Sequence, residues 1–371
     1  MEKLKMFFNR KNKILWIAIG LLVIIILAFV WRYALNPQNQ TDSGNSRNSQ
    51  LFSLNKTATP KKAICKLTGE EVIGNADRHT LAVMIENHPD ARPQSGLNKA
   101  SIIFEAVTEG GITRFLAIYG PNDAPEVGPI RSARSFFVDW AEGFDAYYAH
   151  AGQALDAGKK IIADKVMDLS GYEGGQRKQY RNVDSEHTLY NTTENLYKQA
   201  ETKGFSKVAS YTPWIYEKEL TLENRGNQDS ISINYGERYD VKWVYDKTTN
   251  IYNRFLDGAK HTDRTSSEQL TAKNVVIITV TRAPISLPGA KPTYKFDTIG
   301  TNKAIVISNG QKTEGTWKKT SPKDQIKFLD LSGNEINLTP GVTWVEVVHP
   351  EINYEITESI VVSTSTTTTA I

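Results

Sequence analysis

Leu81-Ala82-Val83-Met84-Ile85, followed at once by Glu86-Asn87-His88-Pro89-Asp90, decides how the folded part of this 371-residue chain begins. Five apolar residues in a row, stopped by a His-Pro-Asp turn, are too few for a core helix. They suit a strand covered on both faces. Working outward, Ser101-Ile102-Ile103-Phe104-Glu105-Ala106-Val107 and Arg114-Phe115-Leu116-Ala117-Ile118-Tyr119 read as two more such strands, joined through Gly110-Gly111. A helix is expected after Gly128-Pro129, with proline in its first turn. Ala133, Phe137, Trp140, Ala141 and Phe144 fall on its core face at helical spacing. Asp145–His150 reads as a strand and Asp156–Val166 as a helix. Gly171–Ser185 reads as a polar loop and Asn191–Thr202 as a surface helix.

Upstream lies an uncharged apolar run from Ile14 to Val30, with Lys3, Lys5, Arg10, Lys11 and Lys13 before it and only Arg32 close after it. A helix of this length spans most of a bilayer core at about 1.5 Å per residue. The positive flank predicts a cytoplasmic tail (1–13), a transmembrane anchor (14–35) and an extracytoplasmic remainder. No small-x-small cleavage site follows the run, so an uncleaved anchor is expected. Residues 36–62 are rich in Asn, Gln, Ser, Thr and Lys and read as a flexible linker.

Downstream the pattern becomes mainly β. Hairpins are expected about Asp246–Asn250, Asn309-Gly310 and Ser332-Gly333-Asn334. A long buried strand is expected at Asn274–Val280, and a closing strand at Val342–Val348. The fold class read from the sequence is therefore an α/β (α+β) N-terminal domain over residues 63–215, then a mainly-β C-terminal domain over 228–356, behind one transmembrane helix. A loose tail is expected at 357–371.

The motifs Glu86-Asn87-His88-Pro89-Asp90-Ala91-Arg92-Pro93-Gln94-Ser95-Gly96-Leu97, Glu109-Gly110-Gly111-Ile112-Thr113-Arg114-Phe115, Gly128-Pro129-Ile130-Arg131-Ser132-Ala133-Arg134 and His150-Ala151-Gly152 resemble the YerB-like family. In the second half the resemblance is carried by His261-Thr262-Asp263, Gly315-Thr316-Trp317 and Pro340-Gly341-Val342-Thr343-Trp344. The resemblance implies a bacterial lipoprotein-like protein with two domains of unassigned activity, so it implies location and architecture but no reaction. The chain departs from that pattern by its apolar anchor, and Cys65 lies too far from the membrane to be a lipid site.

Net charge is only +3, with 23% charged residues, so no nucleic-acid partner is expected. A single cysteine leaves the fold to rest on core packing. There is no His-Glu-x-x-His, Gly-x-Ser-x-Gly or Cys-x-x-Cys, and the six histidines show no metal-ligand spacing, so neither metal nor cofactor is expected. What remains is polar. Arg131, Ser132 and Arg134 at an expected helix start, with Arg92 and Arg114 at loop–strand junctions, suit an anion. They equally suit internal pairing with Glu86, Glu105 and Glu109. Glu105, Glu109 and His150 are the acid/base candidates. Trp243, Trp317 and Trp344 alternate along strands and read as core.

Two functions follow. One is an envelope binding or scaffolding protein, tied to the lipid bilayer through residues 14–35 and holding an anionic cell-wall polymer or an envelope protein. The other is a hydrolase or transferase acting on such polymers.

Overall fold

The computed structural model describes residues 62–286 and 293–358, together with Leu22, Val23 and Ile26, which are helical. Among these residues no helix is long and apolar enough to cross a membrane. The rest of the expected anchor, the linker and the tail beyond Glu358 lie outside the described residues.

The architecture is mostly β with few helices. Its frame is one ten-stranded sheet, whose strands in chain order are β1 (Leu81–Glu86), β2 (Ile102–Val107), β3 (Thr113–Tyr119), β4 (Tyr147–His150), β5 (Asp168–Ser170), β6 (Asn274–Thr279), β7 (Gly300–Ser308), β8 (Gln311–Lys319), β9 (Lys327–Asp330) and β10 (Thr343–Val348). In space they run β9-β8-β7-β6-β10-β2-β3-β1-β4-β5. Every residue of β1, β2, β3 and β10 is buried. The reason is that alternate side chains enter two cores: Leu81, Val83 and Ile85 go to one face and Ala82 and Met84 to the other. That is why these strands read as continuous apolar runs rather than alternating ones.

One face carries helices α1 (Ser135–Glu142) and α2 (Leu155–Asp164). Phe136, Phe137 and Trp140 of α1 cluster there with Phe104 of β2. The other face carries helix α3 (Thr193–Thr202) and a second, six-stranded sheet that includes Gln228–Asn234, Asp240–Asp246, Ile251–Leu256 and Tyr354–Glu358. Trp243, Trp317 and Trp344 are all buried, as their alternation suggests.

Three expectations change. Val342–Val348 does not close an edge. As β10 it lies at the centre, parallel to β6 on one side and to β2 on the other, with Val345 opposite Phe104 and Glu346 opposite Glu105. Segments 63–215 and 228–356 therefore each contribute strands to this one sheet. The tail is drawn in as far as Glu358, because Tyr354–Glu358 pairs with Gln228–Asn234. The helix also starts later than Gly128-Pro129 suggests. Residues 129–133 are extended and docked, with Glu86 N–H donating to Pro129 O, Arg131 N–H to Met84 O and Ile130 N–H to Leu189 O. Backbone groups bonded outward in this way are not available for a helical turn.

Candidate functional site

The loop after β1, the turn between β2 and β3 and the extended 130–134 segment converge at one end of the sheet. They enclose a cleft of about 600 Å³. The Glu109–Gly111 turn, which needs Gly110 at φ 68°, carries Glu109 into its wall. Arg114, the second residue of β3, projects from the floor, and Arg131, Ser132 and Arg134 form a side. Arg134 is the N-cap of α1, with extended backbone, rather than a residue on the same helical face as Arg131.

Two of the three arginines are held by carboxylates. Arg134 grips Glu109 through two bonds, Nε to Oε1 at 2.5 Å and Nη2 to Oε2 at 2.7 Å, and Thr293 adds a hydroxyl at 2.7 Å. Burial alone would raise the Glu109 carboxyl. The hydrogen bonds and charge of Arg134, with help from Thr293 and Arg114, override that and hold it at about 2. Arg131 Nε lies 3.0 Å from Glu86 Oε1, and its Nη2 is 3.4 Å from Glu186 Oε1.

Arg114 differs. It is 93% buried by its 7% exposure, its Nη1 donates to Ser132 O at 3.1 Å, and its Nη2 reaches only to 4.0 Å from Glu109 Oε2. Its Nε has no hydrogen-bond partner among the described residues. Burial first, and then the neighbouring Arg134 charge, push its pKa down to about 9. A buried cation with unused donors is costly unless something negative completes it.

The remaining candidates lie elsewhere. His150 is tied between Gly152 O and Asp168 Oδ1, both at 2.8 Å. Arg92 bonds Asn87 and Arg238 O on the far side of the Pro89–Ala91 turn.

Glu105 is sealed between the two sheets. Burial pushes its carboxyl up to about 7, against the pull of the Arg254 guanidinium that bonds it. Arg254 also donates to Glu346 Oε1 at 2.6 Å, and neither Arg254, Glu105 nor Glu346 has any exposed side-chain surface. Trp243 Nε1 and Tyr235 Oη each donate to Glu346 at 2.9 Å, and Thr113 Oγ1 donates to Glu105 at 2.6 Å. Arg254 Nε donates to His261 Nδ1 at 3.0 Å, so His261 Nε2 carries the proton donated to Gln94 Oε1 at 2.8 Å. Gln94 Nε2 then donates to Glu86 O and Asn87 Oδ1. The buried triad thus braces the loop that forms the cleft, without entering it.

Sequence reasoning named Glu86 as a partner of the arginines but missed the rest of the far wall, His88, Glu186 and His187. His88 and His187 stack with ring centroids 4.6 Å apart. Their separation of about a hundred residues leaves no spacing signal to find.

The Glu109 clamp has a pH signature. Its folded-state pKa lies below the ordinary 4.5, so its contribution to stability is complete above that value and is lost as pH falls towards 2. The stability gap between the wild type and Glu109→Gln is expected to be flat from pH 8 to 5. By pH 3 about half of it should have closed. Melting temperatures across this range check the sign, and a gap unchanged at pH 3 contradicts the assignment.

Comparison with known proteins follows the same division of the chain. Residues 67–206 match the family described as "Protein of unknown function (DUF3048) N-terminal domain", and residues 231–345 match that family's C-terminal domain. The chain is 30% identical over 296 residues to the protein described as "Putative lipoprotein YerB" of Bacillus subtilis (strain 168), covering 78% of this chain and 87% of that one. The crystal structure of YerB from Bacillus subtilis superposes with a TM-score of 0.70 at 29% identity, over 80% of this chain and 99% of that one.

Proposed function

The chain belongs to the DUF3048 family, and from that premise we propose that it is an extracytoplasmic envelope protein whose cleft holds an anionic group of a cell-wall polymer. The observation that carries this reading is Arg114: a guanidinium lining the cleft floor, with one clear hydrogen bond, to Ser132 O, and its nearest carboxylate oxygen only at 4.0 Å. A phosphate or carboxylate that reaches the cleft floor finds Arg114 without a close carboxylate partner. Each charge-assisted hydrogen bond it gains is worth about 1.5–3 kcal/mol. Arg131 and Arg134 contribute less, because Glu86 and Glu109 already occupy them. Location at the membrane surface is supported by the apolar run Ile14–Val30 with its basic flank, and by a relative described as a lipoprotein.

The hydrolase or transferase alternative has less behind it. Glu105 and His150 do not face the cleft, and a Glu109 held at about 2 cannot keep a proton to donate at neutral pH.

Arg114→Met tests the proposal. It keeps the apolar stem and leaves Glu109 still clamped by Arg134. Retention of full-length protein on isolated teichoic-type polymer is expected to fall at least about tenfold, the loss of one charge-assisted bond. The melting temperature should stay level or rise. Unchanged retention would leave scaffolding as the better reading.

A further inference from the structure

The wall opposite Arg134 holds a second constellation. His88, Asp90 and His187 each offer a donor atom within 4.8 Å of the others. Three features distinguish the cluster from an accidental meeting of polar side chains. First, His187 Nδ1 donates to the buried Glu86 at 2.9 Å, which fixes the ring and leaves Nε2 as its lone-pair nitrogen. A carboxylate behind a histidine in this way is the usual outer support of a metal-ligating imidazole. Second, that Nε2 faces a carboxylate oxygen, Glu186 Oε1, at 3.6 Å. Arg131 Nη2 already approaches that oxygen at 3.4 Å, so a cation facing the His187 lone pair would share Glu186 with it. Third, Glu86, Asp90 and Glu186 balance Arg131, Arg181 and Arg238 around the two rings, so a divalent ion meets no net positive field there.

We propose that His88, Asp90 and His187 bind a divalent transition-metal ion of the zinc or cobalt type, with the fourth position left open to an external ligand. Two imidazoles with a carboxylate match that class better than calcium or magnesium, which prefer all-oxygen sets. Bonds of about 2.0–2.1 Å place tetrahedral ligands roughly 3.3 Å apart. His88, Asp90 and His187 therefore close by at most about 1.5 Å on binding, and the His88 ring turns out of its stack on His187 to aim its lone pair at the ion. His88 and Asp90 have the freedom to do this, with side chains 31% and 52% exposed, while His187 stays fixed at 6%. The bound ion sits beside Arg131, at the rim of the same cleft. The inference does not rest on the anion reading, because metal binding is measured without any anionic ligand.

The test titrates Co²⁺, then Zn²⁺ in competition, into the full chain in detergent. Visible absorption of the cobalt form and calorimetry are the readouts. One saturable site is expected, with a four-coordinate cobalt spectrum bleached by Zn²⁺. His88→Asn and His187→Asn should each weaken binding at least about a hundredfold, and Glu86→Gln about 10–100-fold through loss of ring support. His349→Asn, away from the cluster, should change nothing. The melting temperatures of all variants without metal show whether each is folded. Absence of a saturable site in the folded wild type overturns the proposal. So does unchanged affinity in both histidine variants.

Discussion

Arg254→Met is expected to lower the melting temperature by on the order of 10 °C, from a loss of about 3–5 kcal/mol. The guanidinium bonds two carboxylates that sit in register on neighbouring parallel strands, Glu105 on β2 and Glu346 on β10, and among the described residues it is the only cation that does so. Strands in a sheet are about 4.8 Å apart, so removing the cation leaves two buried like charges at close range. The protein then either protonates them or loosens the sheet. Protonation is easier at low pH, and burial already raises the Glu105 carboxyl above its ordinary range. A carboxyl raised in the folded state favours folding below its folded pKa and opposes it above, so the loss should be smaller at pH 5 than at pH 8. Adding Glu105→Gln and Glu346→Gln to Arg254→Met should recover part of the stability, because the two charges are gone, each amide keeps an acceptor for Thr113 or Trp243, and the Tyr235 hydroxyl can turn to accept from the new amide N–H. A single variant that melts within a degree of the wild type at pH 8 would contradict the account.

The second large effect concerns the two family domains as separate fragments. Residues 63–215 and 228–356, expressed alone, are expected to give no cooperative melting transition, and together to give a complex that does. The N-terminal fragment ends its sheet at β2, a strand buried along its whole length in the intact chain. The C-terminal fragment exposes the matching edge of β10 and strands Arg254 and Glu346 without Glu105. A long, largely apolar open edge is an aggregation site. A cooperative transition in either fragment alone would show that the seam is dispensable.

The elements read correctly from sequence are those whose signal is local. The runs at Leu81–Ile85 and Asn274–Val280 are apolar because both faces are covered, and the Asn309-Gly310 turn carries its own φ > 0 chemistry at Asn309 and Gly310. Residues 130–134 were misleading because proline beside an apolar spacing is a fair helix signal. Only the outward bonds to Met84 and Leu189 convert the stretch to extended chain. The site divides the same way. Glu109, Arg114, Arg131 and Arg134 lie in short glycine-rich motifs, and the fold brings all four to one cleft. Glu105 looked like an acid/base residue because a carboxylate in an apolar strand calls for a partner, but that partner, Arg254, is 149 residues away. No spacing rule reaches that far, and none links His88 to His187.

The central position of β10 also sets a schedule. A chain emerging from its N-terminus presents β2 long before its neighbour exists, since Glu346 follows Glu105 by roughly 240 residues. Through that interval the half-built sheet keeps one apolar flank open, and loop closure over so long a stretch delays the final pairing. The nascent protein therefore depends on whatever shields that flank until its last strand arrives. A truncation that removes only the final few dozen residues takes away the middle of the sheet rather than its end.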